Sequence, residues 1–181
     1  MSAHIIRAHK IIKGIAELFT AMDKGFARVE SDMVVLQKFR QICFTANLKL
    51  EGAIPGLSRV IQQISVSGKS DNNSSLTELN QEAYEQLLHI KRIISDNIIM
   101  ISDFIDDFSD IWEKSFSINA LIKFRLLLDE EYILLEDEIK LLEMQSVLDY
   151  RKKTLSLRSS LLKAIKNTGS SYKGKGDSKL H

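Results

Sequence analysis

Apolar residues recur along the first fifty positions with the alternating three- and four-residue step of a heptad seam. Ile5, Ile12, Phe19, Phe26 and Met33 form one row, and Ala8, Ile15, Met22, Val29, Leu36, Cys43 and Leu50 form the other. Arg40 and Asn47 are the polar lapses. Such a seam keeps facing a partner instead of drifting around the helix. It predicts one helix from Ser2 or Ala3 to about Leu50, a rod of roughly 70 Å at about 1.5 Å per residue. Gly14 and Gly25 fall inside it and are read as sites of close packing or slight bending. The segment from Glu51 to Gly56 predicts a break, because Pro55 lacks an amide donor and disfavours helix at Ile54. Leu57, Val60, Ile61 and Ile64 then suit a short kinked piece.

Residues 65–75, small and polar with Gly68 and two asparagines, predict a loop. Ser75 and Glu78 fit a capping box opening the next helix. Its stripe is Leu76, Leu79, Ala83, Leu87, Ile90, Ile94, Ile98, Ile101, Ile105, Phe108 and Trp112, always three or four apart. A turn is placed at Glu113–Asn119, and the last helix runs to about Lys166. Asn167 and Gly169 suit a helix stop. Residues 168–181 read as a disordered basic tail.

Leu127, Leu134, Leu141, Leu148, Leu155 and Leu162 are spaced by seven. The positions three before each are mostly polar, so a parallel zipper lacks its second row. Leu128, Leu135 and Leu142 stand beside the row, with Tyr132 and Ile139 extending it. That broader face suits packing among three or four helices.

Composition agrees with long helices: one proline and eight glycines in 181 residues. The single cysteine excludes an internal disulfide, and Cys43 on the seam reads as a small buried hydrophobe. No apolar run resembles a signal peptide or a membrane span, so the expected location is cytoplasmic, with peripheral membrane attachment as the variant. The net charge of +1 hides an asymmetry. Residues 96–149 carry fourteen acids and four bases, whereas 150–181 carry nine Lys/Arg and one acid. The aspartates at 103, 106, 107 and 110 read as a solvated face or as an acidic receiving surface. Basic residues near the end complement the helix dipole, and they also suit an anionic surface. With only Tyr150 and Tyr172 interleaved, nucleic acid is not an expected partner.

Candidate chemistry is thin. Ser67-Gly68-Lys69-Ser70 ends like a phosphate-binding loop, but Gln63 stands where that loop needs glycine and no strand precedes it. Glu85 and His89 share a face, yet no Glu-x-x-His motif of a carboxylate-bridged di-iron bundle occurs. No enzyme, cofactor, metal site or small-molecule substrate is expected.

The expected architecture is all-α: an elongated antiparallel bundle of three long helices with coiled-coil packing, plus the short kinked piece, as one domain over 1–167. In architecture it resembles the crescent-shaped, membrane-binding BAR domains, and the fragment from Ser146 to Lys153 is similar to a stretch in their sorting-nexin members. That resemblance covers eight residues and implies dimers acting on membranes. The leading expectation is a non-enzymatic scaffold or adaptor, a homodimer or a binder of a helical protein. Its seam would be Ile12, Ile15, Phe19, Met22, Phe26, Val29, Met33 and Leu36. The alternative is a peripheral membrane-binding or remodelling module using Arg151, Lys152, Lys153, Arg158, Lys163 and Lys166. A third class, a helical toxin or effector, rests on the Ile-rich stretch at 90–105.

Overall fold

The computed structural model of the chain describes residues 2–27, 34–67, 73–112 and 116–173, with side chains over 3–26, 37–67, 76–107 and 119–164. All four described segments are helical: α1 Ser2–Ala27, α2 Val34–Ser67, α3 Asn73–Trp112 and α4 Phe116–Lys173. The chain divides into two compact units, Met1–Leu142 and Glu143–His181. The first is a helical bundle. The second contains the distal part of α4.

Within the first unit each helix runs against the one before it. Late α1 meets early α2 through Asp23 and Arg40, 3.2 Å apart, and early α1 meets late α2 through His9 and Ser58, 2.8 Å apart. Phe39 of α2 touches Phe104 of α3, while Gly56 faces Gln86. Lys91 of α3 pairs with Glu136 of α4 at 2.7 Å, and Phe19 of α1 packs edge-on against Phe124 of α4.

All-α is correct, but the helix count expected from the sequence is not. The single rod expected over residues 5–50 is divided between α1 and α2, and residues 28–33 lie outside the described residues. The buried residues show the consequence. Ile5, Ala8, Ile12, Ile15 and Phe19 keep the expected spacing in α1. In α2 the row of Cys43 and Leu50 continues to Leu57 and Ile64, but the other row moves back one position to Phe39, Ala46 and Val60. Arg40 and Asn47 are therefore not lapses in a core row. Arg40 instead donates from Nε to Asp23 on α1.

The break expected at Glu51–Gly56 is also absent, since α2 contains Pro55 in its interior. A proline inside a helix costs roughly 3 kcal/mol. Here Leu50, Leu57, Val60 and Ile64 are buried on both sides of it, and fully burying each such side chain is worth about 1.5–3 kcal/mol. Pro55 and Glu51 are exposed, so the Glu51 carbonyl deprived of a donor is on the water side. Tertiary burial outweighs the local signal, and the short kinked piece is the second half of α2.

At the other junctions, α3 begins at Asn73, which puts Ser75 in its first turn and not before it. Residues 68–72 of the expected loop lie outside the described residues, as do residues 113–115 of the expected turn. Helix α4 continues to Lys173, beyond the stop expected at 167–169, and residues 174–181 of the expected tail are not described.

The core joins all four helices. Phe39, fully buried, lies 5.3 Å from Phe26, 5.4 Å from Phe104 and 6.2 Å from Phe124 between ring centroids. Cys43 is buried and free, and desolvation pushes its thiol up to about 12, so it stays an inert, neutral hydrophobe. Among the described residues Asn97 is the buried polar side chain of the core; its amide donates to the Ile93 carbonyl at 2.6 Å.

Gly14 and Gly25 are not close-packing sites, because a Cβ added at either meets nothing within 4 Å. Gly14→Ala should therefore raise stability by about 0.5–1 kcal/mol, through helix propensity alone. A chemical-denaturation midpoint that does not rise would contradict the open geometry at this position.

Candidate interaction surface

Helix α4 carries two apolar rows with different fates. Leu121, Phe124, Leu128, Leu135, Ile139 and Leu142 are buried in the bundle. The heptad row beside them, Leu127, Leu134 and Leu141, is 38–53% exposed, and Leu126 and Ile133 extend it outward. Their spacing alone predicts one broad face that holds both rows. The fold uses one and leaves the other in water.

The inward face is held by ion pairs as well as packing. Glu138 accepts a hydrogen bond from Arg7 Nε at 2.8 Å, and its Oε2 lies 2.6 Å from His4 Nδ1. Burial alone would push this carboxyl up, but the bonds from His4 and Arg7 outweigh it and hold it below the usual value of 4.5. Next to it, the hydrogen bond from Lys91 holds Glu136 down, and the same ammonium lies 5.9 Å from the Tyr132 ring centroid.

These directions fix a pH dependence. A carboxylate with a depressed native value stabilises the fold above its unfolded value, and that stability fades as pH falls through the native value. Wild type should lose stability as pH drops below about 4.5, and Glu138→Gln should show a smaller loss over that range, after costing about 1 kcal/mol at neutral pH. His9 acts in a higher window. Burial first, then Lys13, lowers its value from 6.5, so it favours the fold when neutral and withdraws that support as pH falls below 6.5. Urea midpoints between pH 7 and pH 3 for wild type, Glu138→Gln and His9→Gln check both; coincident pH profiles would contradict the assignments.

The second unit has its own pattern. No described side chain after Leu142 is buried, and only Gln145 is half-buried. Leu148, Leu155 and Leu162 continue the leucine row at 49–64% exposure, with Val147, Leu157 and Leu161 also in water. Among them stand Arg151, Lys152, Lys153, Arg158 and Lys163, all exposed; the Lys166 side chain lies outside the described residues. In water such a helix has no apolar cover, and single exposed leucines need no explanation, but a continuous stripe does.

Of the residues expected to form a partner seam, those with described side chains pack within the chain. Ile12, Ile15 and Phe19 are fully buried, Phe26 is nearly so, and Met22 packs on the core. Val29 and Met33 lie outside the described residues, and the Leu36 side chain is not described. Of the aspartates read as a face, those at 103, 106 and 107 are exposed, and the side chain at 110 is not described. The Ile-rich stretch is mostly core: Ile90, Ile94, Ile101 and Ile105 are buried, and Ile99 is exposed. Glu85 accepts from Gln81, and His89 lines a shallow cleft with Lys49, Gly52, Gly56 and Gln86. Among the described residues no three His, Cys, Asp or Glu side chains gather as metal ligands, and no helix is long and apolar enough to cross a membrane.

No protein-family model, curated protein or solved structure matches this chain.

Proposed function

We propose that the chain is a non-enzymatic helical scaffold that works by coiled-coil pairing with a protein partner. The observation that carries this reading is the outward leucine row of α4. The core already has its own row on the same helix, so the second is available for another helix. An apolar row left in water beside the core row is area that a second helix can cover. The surface replaces the α1 seam expected from the sequence, whose apolar residues serve the bundle.

A second reading has its own support. Arg151, Lys152, Lys153, Arg158 and Lys163 lie exposed among Leu155, Leu157 and Leu162, so this part of α4 offers both the charge and the apolar area that anionic headgroups attract. The chain would then be a peripheral membrane module, as the likeness to BAR domains implies.

Light scattering and vesicle flotation together separate the two. The scaffold reading expects no flotation with phosphatidylserine vesicles, and a lipid-free mass above 20.6 kDa at micromolar concentration where the partner is a second copy. A 20.6 kDa particle that floats with anionic vesicles at low salt, and is released by high salt, would replace it with the membrane reading.

A further inference from the structure

We propose that the part of α4 after Leu142 is a docking seam for an amphipathic helix of another protein, one that carries two carboxylates seven residues apart among its apolar positions. The proposal rests on the scaffold reading and names the chemistry of the partner.

The seam lies within one segment of one helix. Starting at Met144 and stepping alternately by four and three, its residues are Leu148, Arg151, Leu155, Arg158, Leu162 and Ile165. That alternation is the spacing of a two-row heptad seam. One row is Leu148, Leu155 and Leu162. The other is Met144, Arg151, Arg158 and Ile165, apolar at both ends and cationic between them. Met144 and the three leucines are 49–64% exposed, and both arginines are exposed; the Ile165 side chain lies outside the described residues. Val147 and Leu161 border the seam and are exposed too. Lys153, Leu157 and Lys163 lie off it.

The two arginines decide what can cover this seam. A helix laid on the leucines takes both guanidiniums partly out of water, and a charge buried without a partner is strongly destabilising. Carboxylates on the covering helix remove that penalty, because a guanidinium binds a carboxylate through two parallel hydrogen bonds. The arginines stand seven apart, so the carboxylates do as well, with apolar residues around them to meet the leucines.

A second copy of the same segment fails this requirement. No position in the seam or bordering it is acidic, since Glu143 and Asp149 lie off it. In either orientation each arginine would therefore meet a leucine or another arginine, and neither supplies a counter-charge. A lipid surface also fits less well. An interfacial helix keeps its charges on the face away from its apolar residues, whereas Arg151 and Arg158 stand between the leucines.

The test titrates the full chain with synthetic helical peptides of about four heptads, leucine in both rows except at two central positions of one row. Those positions hold glutamate in one set and lysine in the other. Each set includes a peptide for either row, so that both orientations are offered. At about 0.15 M salt, where exposed charges are screened beyond about 8 Å, a glutamate peptide should bind. It should bind more than about tenfold tighter than any lysine peptide. Arg151→Glu with Arg158→Glu should reverse that preference. Lys153→Glu with Lys163→Glu makes the same change in net charge off the seam and should shift affinity by less than about threefold. Leu148→Asp with Leu155→Asp should abolish binding of every peptide, with the melt of the bundle retained, since neither leucine is buried.

Equal affinity for glutamate and lysine peptides, or a preference that survives reversal of both arginines, would overturn the acidic partner and leave the scaffold reading in place. Binding of no peptide would overturn the proposal, and flotation with phosphatidylserine vesicles in its stead would overturn the scaffold reading as well.

Discussion

Phe39→Ala should destabilise the bundle by about 3–5 kcal/mol, the range for removing a fully buried aromatic ring. The expectation is at the upper end because Phe39 has ring neighbours on three other helices: Phe26 on α1, Phe104 on α3 and Phe124 on α4, all within 6.2 Å. Edge-on aromatic pairs add about 0.5–1.5 kcal/mol beyond their area. Loss of the ring therefore leaves a cavity where four helices converge, and no single helix can shift to fill it. Domain stabilities are about 5–15 kcal/mol, so the variant should melt far below wild type or fail to fold at ambient temperature. Guanidinium unfolding followed by circular dichroism measures the difference. A loss under about 1 kcal/mol would mean that the aromatic cluster is not the centre of the core.

The second large effect is a contrast between two apolar residues that the sequence presents alike. Ile12→Asp should cost several kcal/mol or abolish folding, because Ile12 is fully buried and the new carboxylate would have no partner. Leu134→Asp places the same charge on a side chain that is 53% exposed, and should move monomer stability by no more than about 0.5 kcal/mol. Both positions belong to heptad rows. Denaturant midpoints measured in dilute solution, where self-association is absent, should differ widely. Equal effects at the two sites would mean that α4 is rotated relative to the arrangement described.

That contrast also shows what was legible in the chain. The α1 row from Ile5 to Phe19 and the α3 stripe through Ala83, Leu87, Ile90, Ile94 and Ile101 were readable because burial follows spacing there. The stripe named Ile98, which packs at the edge of the core, while the adjacent Asn97 is fully inside it; polarity concealed that position. The change of helix between Ala27 and Val34 was missed because no glycine or proline marks it. The available signal was the polar residue at Arg40, where the core row steps back by one to Phe39. The opposite error came at Pro55, where a strong local breaker is overridden by burial on either side.

The interaction surface was harder to find. Six leucines at seven-residue spacing were visible, but periodicity cannot say which of two adjacent rows faces the core. The structure separates them, with Leu128, Leu135 and Leu142 inside and Leu127, Leu134 and Leu141 outside. The candidate seam on α1 shows the converse. An apolar row suited to a partner helix was present, and the partner helices belonged to the same chain.

Backbone hydrogen exchange over residues 148–162 tests the central claim, that the outward face of α4 is a pairing surface, most directly. None of the side chains in this stretch is buried within the chain, and an unsupported helix frays on a fast timescale. If a partner helix covers it, its amides should become more protected when a glutamate peptide is added. Amides of the buried stretch from Leu128 to Leu142 should be protected with or without the peptide. Exchange over 148–162 that is equally fast in its presence and absence would contradict the account.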